Sequence, residues 1–396
     1  MAWRVGSPRH DPRTGSRPIA LAAAVALGAM LLGSCGLLEP NGVESGGGQV
    51  LWHVTDSAAF GQPAFDGATA YFTSKGRSVV AVDASSGAVR WRAPTGGTLG
   101  PTTHTDAGCV IAGELVVCGD DDIVAFRRAD GGFAWRYHAN VGFGPGFFPF
   151  REHAGVIYAG SQGSGTLYAV DAATGSERWV TRAIADTAGV NVFAINVDDD
   201  IVAAAFVTGD KPLRGGVVAL DPKTGALRWV AYFPVGTFDA PGGGFDCALW
   251  ADVVLGSSLD ASVYALDRTT GAIRWVVPPI KIATPQRGDF RPVVVVGATL
   301  FSASTSETVT AYDLTRRQEA WRVASPEGSS SGAPLSADEG AVYVVHANGR
   351  LVAYSTTGRS VRWHVGDPLN PFIGTAGIGI DRVFIGSTAG FWALSK

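Results

Sequence analysis

Eight tryptophans recur along this chain at a nearly constant spacing of 39 to 50 residues, and this period constrains the fold more than any other feature. Each tryptophan ends a short phrase of apolar residues, a polar residue, small residues and, in most copies, a glycine. A period in the forties is typical of repeat architectures in which each unit is a four-stranded sheet. The eight residues are Trp52, Trp91, Trp135, Trp179, Trp229, Trp275, Trp321 and Trp363.

One repeat can be followed through residues 155–179. Two alternating apolar segments, 155–161 and 165–171, are separated by glycine and predict two antiparallel strands. A turn built on Thr174 and Gly175 leads into the next strand, which carries Trp179. We expect each tryptophan to cover the following blade and to bury a large ring there.

An aspartate precedes the same turn in five copies, where its carboxylate can accept backbone N–H groups across the turn. Arg127 and Ser355 take its place in two copies, and we expect those turns to be held less tightly. The five aspartates are Asp83, Asp171, Asp221, Asp267 and Asp313.

The phrase Tyr-Ala-Val-Asp-Ala-Ala-Thr-Gly-Ser-Glu-Arg-Trp at 168–179 resembles the repeat of the PQQ-like β-propeller family. That family includes quinoprotein dehydrogenases and the outer-membrane assembly lipoprotein BamB. The resemblance covers residues 50–396 and implies an all-β propeller of four-stranded antiparallel blades. A shared fold says little about activity, because one fold hosts many functions.

The two ends of the repeat region predict the number of blades. Residues 375–381, 383–387 and 391–394 form three strands without a fourth, and residues 49–54 form a fourth strand without its three. Joining them closes the ring and removes exposed sheet edges. The sequence therefore predicts an eight-bladed β-propeller, closed by N- and C-terminal strands in one composite blade.

Residues 1–34 are predicted to be a lipoprotein signal peptide, outside the fold. Four arginines precede an apolar stretch, 19–32, that is short for a bilayer span. It runs into Leu-Gly-Ser-Cys at 32–35, which resembles the bacterial lipobox and implies acylation of Cys35. An ordinary secretory signal or an anchor helix is the alternative. Residues 35–48 then predict a lipidated, flexible tether, and 49–396 the propeller.

The mature chain is mildly acidic. Without residues 1–34, 27 basic and 34 acidic residues remain. Nucleic-acid binding depends on clustered Lys and Arg, so no nucleic acid is expected as a partner. We expect a monomeric propeller that is lipid-anchored to a bacterial membrane on its extracytoplasmic side.

The sequence offers little for a metal or a cofactor. The family resemblance implies PQQ, calcium and a catalytic aspartate only if the chain is a quinoprotein dehydrogenase. The chain is much shorter than the alcohol dehydrogenases and lacks their adjacent cysteine pair, so no cofactor is expected. The triplets 120–122 and 198–200 are all aspartate and could ligate calcium, but consecutive carboxylates in turns are usually solvated. Zinc-type histidine pairs are absent from the sequence.

Three cysteines remain besides Cys35. A two-residue turn at 113–114 would place Cys109 opposite Cys118 as a non-hydrogen-bonded pair, close enough for a disulfide. An exported protein meets an oxidising compartment, which favours the bond. Two buried free thiols are the alternative. Cys247 is predicted to be a small core residue and not a nucleophile.

Long links from the outer strand of one blade to the inner strand of the next carry phenylalanines in mid-chain. Such links emerge on one face of a propeller around the channel mouth, so we expect these rings to cluster there. Aromatics on a rigid scaffold indicate a partner site. Packing in the channel or between blades is the alternative. The five residues are Phe147, Phe148, Phe193, Phe245 and Phe290.

Together these features favour a non-catalytic, membrane-anchored extracytoplasmic scaffold, similar in architecture to BamB. It would bind an envelope protein or polymer through its loop face. A PQQ-dependent oxidoreductase and a carbohydrate-binding module that uses the aromatic rim are the alternatives.

The lipobox resemblance gives a direct test. Replacing Cys35 with Ser removes the thiol that would carry the diacyl group, so the protein should be released from membranes or remain uncleaved. Metabolic labelling with a fatty acid, followed by membrane fractionation, measures this. Equal labelling of both proteins, or none in the parent chain, would contradict lipidation at Cys35.

Overall fold

The repeats fold into eight four-stranded antiparallel sheets that form the blades of a propeller. The structure is a computed structural model. It describes residues 47–56, 58–96, 108–119, 122–139, 147–184, 189–209, 214–234, 244–258, 260–279, 291–304, 308–328, 330–367 and 369–396.

The chain begins with β1 (Val50–Thr55) and then forms seven consecutive blades, each numbered from its inner strand outward. Blade 1 is β2 (Ala59–Phe65), β3 (Thr69–Ser74), β4 (Ser78–Asp83) and β5 (Val89–Pro94). Blade 2 is β6 (Cys109–Ala112), β7 (Leu115–Gly119), β8 (Ile123–Arg127) and β9 (Phe133–Tyr137). Blade 3 is β10 (Phe147–His153), β11 (Val156–Ser161), β12 (Thr166–Asp171) and β13 (Glu177–Arg182). Blade 4 is β14 (Asn191–Val197), β15 (Val202–Val207), β16 (Gly215–Leu220) and β17 (Leu227–Tyr232).

The second half continues the pattern. Blade 5 is β18 (Gly244–Trp250), β19 (Val253–Ser258), β20 (Val263–Asp267) and β21 (Ile273–Val277). Blade 6 is β22 (Val293–Val296), β23 (Thr299–Ser304), β24 (Thr308–Asp313) and β25 (Gln318–Ala324). Blade 7 is β26 (Ser336–Ala337), β27 (Ala341–Val345), β28 (Leu351–Ser355) and β29 (Val361–Val365). Blade 8 is β30 (Phe372–Ile378), β31 (Arg382–Ser387), β32 (Gly390–Ser395) and the returning β1.

Blade 8 is composite, which confirms the predicted closure. β1 pairs antiparallel with β32, and the Gly48 N–H donates to the Ser395 carbonyl at 2.9 Å. The inner strands contact one another in sequence order, and β30 contacts β2. The ring is therefore closed by main-chain hydrogen bonds between the two ends of the propeller region.

Each repeated tryptophan lies directly opposite an alanine on the neighbouring strand. Trp179 pairs with Ala169 in blade 3, and all eight copies share this register. Cross-strand neighbours point to the same face of a sheet, so the small alanine leaves room for the indole. The eight alanines are Ala81, Ala125, Ala169, Ala219, Ala265, Ala311, Ala353 and Ala393.

The indoles cover the turn of the next blade, as the sequence predicts. The Trp135 N–H donates to the Ala172 carbonyl at 3.0 Å, and its ring lies on Gly175. Five turn glycines share a φ of 68° to 74°, and a Cβ on any of them would come within 2.5 to 2.8 Å of an indole. Only glycine allows both this backbone and this contact. The five are Gly87, Gly131, Gly175, Gly225 and Gly271.

The aspartate that precedes the turn stabilises it through hydrogen bonds. Asp171 accepts the N–H groups of Ala173 and Thr174, and Arg178, beside the tryptophan, donates to its second oxygen at 2.7 Å. The Arg178 hydrogen bond and the Thr174 hydroxyl lower the pKa of Asp171 to about 2. Asp171 is therefore ionised at neutral pH, and the turn keeps these hydrogen bonds.

Both exceptional turns keep part of this bonding. In blade 2 the charges are exchanged, since Arg127 pairs with Asp130, which also accepts the Gly132 N–H at 2.8 Å. In blade 7 the Ser355 hydroxyl accepts the Thr357 N–H at 3.3 Å. The weaker hold expected for these turns stays a prediction.

The apolar core is divided among the blade interfaces. Eight clusters of buried side chains occur in the described ranges, and each contains residues of two neighbouring blades. Phe206, for example, packs in a cluster that joins blades 3 and 4. No blade has a core of its own, so every blade depends on both neighbours.

Two glycines of blade 3 allow the effect of the positive φ to be measured separately from the effect of the indole contact. Gly155 and Gly175 have nearly equal φ values of 75° and 73°, but nothing lies within 4 Å of a Cβ at Gly155. Gly155→Ala should cost about 1 kcal/mol for the left-handed backbone alone. Gly175→Ala should cost about 1–3 kcal/mol more, because Trp135 must move.

Urea denaturation of both variants and the parent measures this difference in the free energy of unfolding. Equal losses for the two substitutions would mean that the indole contact adds nothing to the backbone requirement.

Candidate functional site

A cavity of about 640 Å³ occupies the centre of the ring, and residues of all eight blades line it. Most of these residues belong to the beginnings of the inner strands or to the segments just before them. The links between blades enter the inner strands at this end. It is also the end where the sequence predicts a partner-binding rim.

Irregular pairing in the inner strands turns side chains toward the cavity. The pairing of β14 with β15 shifts between Val192 and Ala194, and that of β18 with β19 shifts between Gly244 and Asp246. The residues left unpaired are Phe193 and Phe245. Bulges redirect the side chain of the extra residue. Both phenylalanines line the cavity.

Phe193 and Phe245 form an aromatic pair on neighbouring blades. Their ring centroids are 4.8 Å apart and the planes are inclined by 46°, with both residues half-buried. Phe147 and Phe148 begin β10 in the preceding blade, but their side chains, and all of Phe290, lie outside the described residues. The structure thus places two of the five predicted rim residues together, on the cavity wall.

Asp246 follows this pair and was not identified from the sequence. Its carboxylate accepts the Cys247 N–H at 2.8 Å and the Val293 N–H at 2.9 Å, which links blade 5 to blade 6. Desolvation raises the pKa of Asp246 to about 6, against the opposing effect of the Arg151 guanidinium. Asp246 and Arg151 both line the cavity, so its wall combines aromatic surface with an acid that titrates near neutrality.

Other polar side chains of the lining bond within the protein. Arg291 is buried and donates to the Ser302 hydroxyl at 2.8 Å and the Ala261 carbonyl at 2.7 Å. The buried His346 ring lies 3.1 Å from the Tyr354 hydroxyl. These bonds fix the shape of the wall around the aromatic pair.

Three of the four cysteines lie where the sequence predicts them. Cys109 is directly opposite Cys118 and forms a disulfide with it, with the Cα atoms 4.2 Å apart. Cys247 is buried and free, and desolvation raises the pKa of its thiol to about 12. A thiol held protonated in a core is inert as a nucleophile. Cys35 lies outside the described residues.

The aspartate triplets take part in ion pairs and turns. Asp122 pairs with Arg136 at 2.8 Å, while Asp198 pairs with Arg268 and accepts the Asp200 N–H. Asp120 and Asp121 lie outside the described ranges. Among the residues that are described, no group of three or more His, Cys, Asp or Glu could hold a metal ion.

Calcium in a quinoprotein-type site needs several oxygen ligands, including carboxylates. Asp246 is the one carboxylate in the described part of the cavity lining, and both its oxygens accept backbone N–H groups. The described donor set does not fit calcium in a site of that kind.

Sequence comparison identifies the family. The profile described as "Outer membrane protein assembly factor BamB" matches residues 41–142, 95–237 and 259–389, which is most of the chain. A closed eight-bladed propeller with a central cavity defines the class, and this chain belongs to the BamB-type family of PQQ-like propellers. No curated protein matches it significantly.

Solved structures share the fold at low sequence identity. BamB from Moraxella catarrhalis is 21% identical, with a TM-score of 0.54 over 78% of this chain and 85% of that one. The quinohemoprotein alcohol dehydrogenase of Comamonas testosteroni is 14% identical, with a TM-score of 0.60 over 87% and 76%. The computationally designed protein Ika8 is 14% identical, with a TM-score of 0.68 over 88% and 100%.

In the described ranges, no helix has the length and apolarity to cross a membrane.

The raised pKa of Asp246 gives a pH dependence with a definite sign. A carboxyl whose folded pKa exceeds its unfolded pKa stabilises the fold when protonated, and this contribution is lost as pH rises. Relative to Asp246→Asn, the parent should therefore lose roughly 2–3 kcal/mol of unfolding free energy between pH 4 and pH 7. Chemical denaturation of both proteins across this range is the measurement. A difference that does not vary with pH would contradict the assignment.

Proposed function

We propose that this protein is a non-catalytic scaffold of the cell envelope that binds a protein partner at the link-entry end of its central cavity. The observation that carries the proposal is the pairing of Phe193 and Phe245 on the wall of a cavity formed by all eight blades. The pair is half-buried and held by bulges in rigid strands.

Such a pair suits recognition because binding energy concentrates in a few aromatic anchors in partly enclosed pockets. Its two rings come from neighbouring inner strands, so little side-chain entropy is lost when a partner docks. Asp246 and Arg151 add charge of both signs next to the rings. A segment with an apolar side chain flanked by polar groups fits this wall.

Membrane attachment through Cys35 completes the proposal. The lipobox resemblance and the glycine-rich tether support an anchored propeller. The family description, which names an outer membrane protein assembly factor, supports a place in the envelope. The partner is therefore expected to be a membrane or periplasmic protein, in the compartment where the Cys109–Cys118 disulfide is stable.

The double substitution Phe193→Ser with Phe245→Ser tests the site. It should abolish capture of envelope partners by chemical crosslinking and pull-down. Each change should cost well under the roughly 3–5 kcal/mol of a core phenylalanine truncation, since both rings border a cavity. The melting transition and the pull-down are measured on the same protein.

Two control variants frame the result. Phe133 is 56% exposed on an outer strand, so Phe133→Ser should change neither capture nor stability. Phe233 is buried and stacks on Tyr264, with the ring centroids 4.7 Å apart. Phe233→Ser should therefore lower the melting temperature, as the truncation of a core phenylalanine does. If the double variant unfolds like Phe233→Ser, the pair is structural and the proposed site fails. Retained protein capture in a folded double variant, or capture of glycans alone, would also overturn the proposal.

A further inference from the structure

The interface between blades 5 and 6 departs from the repeat at the turn glycine. Arg317 occupies the position that Gly271 and four other glycines hold, and its φ is 55°. L side chains rarely adopt this conformation. A strained residue at a position where glycine would be relaxed is a reason to look for a function.

The tryptophan above this turn is also rearranged. Arg317 lies over the Trp275 ring, with its Cζ 5.5 Å from the centroid. The indole is nearly parallel to Tyr312, at 17°, whereas Trp91 is tilted by 42° against the equivalent Phe126. Within the ranges described, the Trp275 N–H makes no hydrogen bond to the next turn. The contact of Trp275 with the next blade therefore differs from that of the tryptophans whose N–H donates to the next turn, such as Trp229.

A pocket of about 200 Å³ lies here, separate from the central cavity except for Arg291. Three arginines line it against one glutamate, and that glutamate, Glu319, already bonds to Arg322 at 2.6 Å. Arg317 makes no ion pair in the described part of the chain. The pocket lining is thus positively charged.

Tyr312 adds a hydrogen-bond donor to the same pocket. The residue is 8% exposed, and its hydroxyl makes no hydrogen bond to any described residue. Thr310, also in the lining, accepts from the Arg291 guanidinium at 3.1 Å. The hydroxyl is reached by solvent, so it is available to donate to a ligand in the pocket.

The register places these groups on one face. Thr310 pairs with Arg322, and Tyr312 is two residues further along β24, so their side chains point the same way. Blade 4 carries apolar residues at the same three positions, Val218, Val230 and Leu220. Relative to blade 4, blade 6 thus carries a threonine, an arginine and a tyrosine in place of three apolar residues.

We propose that this pocket binds a small tetrahedral oxyanion, a phosphate or sulfate group. Guanidinium groups bind such oxygens with charge-assisted, often bidentate hydrogen bonds. Within the lining, Arg317 and Arg322 supply positive charge and Tyr312 supplies a hydroxyl donor. This site lies between blades 5 and 6 and shares only Arg291 with the lining of the proposed partner site.

Isothermal titration with inorganic phosphate, at ionic strength held constant with sodium chloride, tests the proposal on the full chain. The parent should give saturable one-site binding. Arg317→Gly should weaken the apparent Kd about tenfold, the loss of one charge-assisted contact. Its unfolding midpoint should stay equal or rise, because glycine restores the repeat.

Two further variants make the result specific. Arg359→Gly removes the same charge from an exposed turn in blade 7 and should leave phosphate binding unchanged. Tyr312→Phe keeps the charge and removes the donor, so it should weaken binding without a change in net charge. If Arg317→Gly fails to fold, the affinity of Tyr312→Phe for phosphate tests the proposal on its own.

The source of the anion is distinguished by titrating glycerol 1-phosphate beside inorganic phosphate. Tighter binding of the ester supports a phosphomonoester ligand, and tighter binding of phosphate supports the free ion. Absence of saturable binding in the parent, or equal affinity in the parent, Arg317→Gly and Tyr312→Phe, would overturn the proposal.

Discussion

The contact of an indole with a glycine turn on the next blade is the interaction on which the ring depends. Three residues make it possible: a tryptophan on the outer strand, an alanine opposite, and a glycine with positive φ in the following blade. Trp179, Ala169 and Gly225 are one such set. The indole N–H also donates to the adjacent carbonyl, so a large apolar ring is buried without an unsatisfied donor. Because the apolar clusters lie between blades, this contact fixes both spacing and orientation.

The composite blade reproduces the contact across the two chain ends. Gly48 has a φ of 80°, and a Cβ there would lie 3.0 Å from the Trp363 ring. Gly48 thus takes the place of the turn glycine that blade 8 cannot provide, since its outer strand comes from the other end of the chain. Lys396 adds an ion pair to Asp338 of blade 7 at 2.7 Å. Closure therefore uses the same contact between an indole and a glycine as five other interfaces of the ring.

Most of the fold could be predicted from the sequence because its determinants are local and repeated. The period of tryptophans, the Asp-to-Gly turn and the unmatched strands at each end give eight blades and their closure. The Cys109–Cys118 pairing follows from counting across a two-residue turn. The alanine opposite each tryptophan was present in every copy but was not recognised, although its fixed spacing from the aspartate slot could have revealed it.

The site could be predicted only in part, because bulges decide which side chains enter the cavity. Phe193 and Phe245 were found by their place in the links, but nothing in the residue types shows that pairing skips them. Asp246 and Arg151 were missed for the same reason, since a regular strand would point alternate residues elsewhere. Arg317 stands where five other repeats have the turn glycine, but the sequence does not show the rearranged Trp275 or the pocket beside it.

In the proposed function the rigid ring presents its cavity wall, and not its outer edges, to a partner. Site-specific photocrosslinking in the native cell tests this most directly, with a benzoylphenylalanine placed at Phe245 and, in a separate protein, at the exposed outer-strand Phe133. The account predicts a discrete protein adduct from position 245 and none from position 133. Adducts from position 133 with none from position 245 would contradict it.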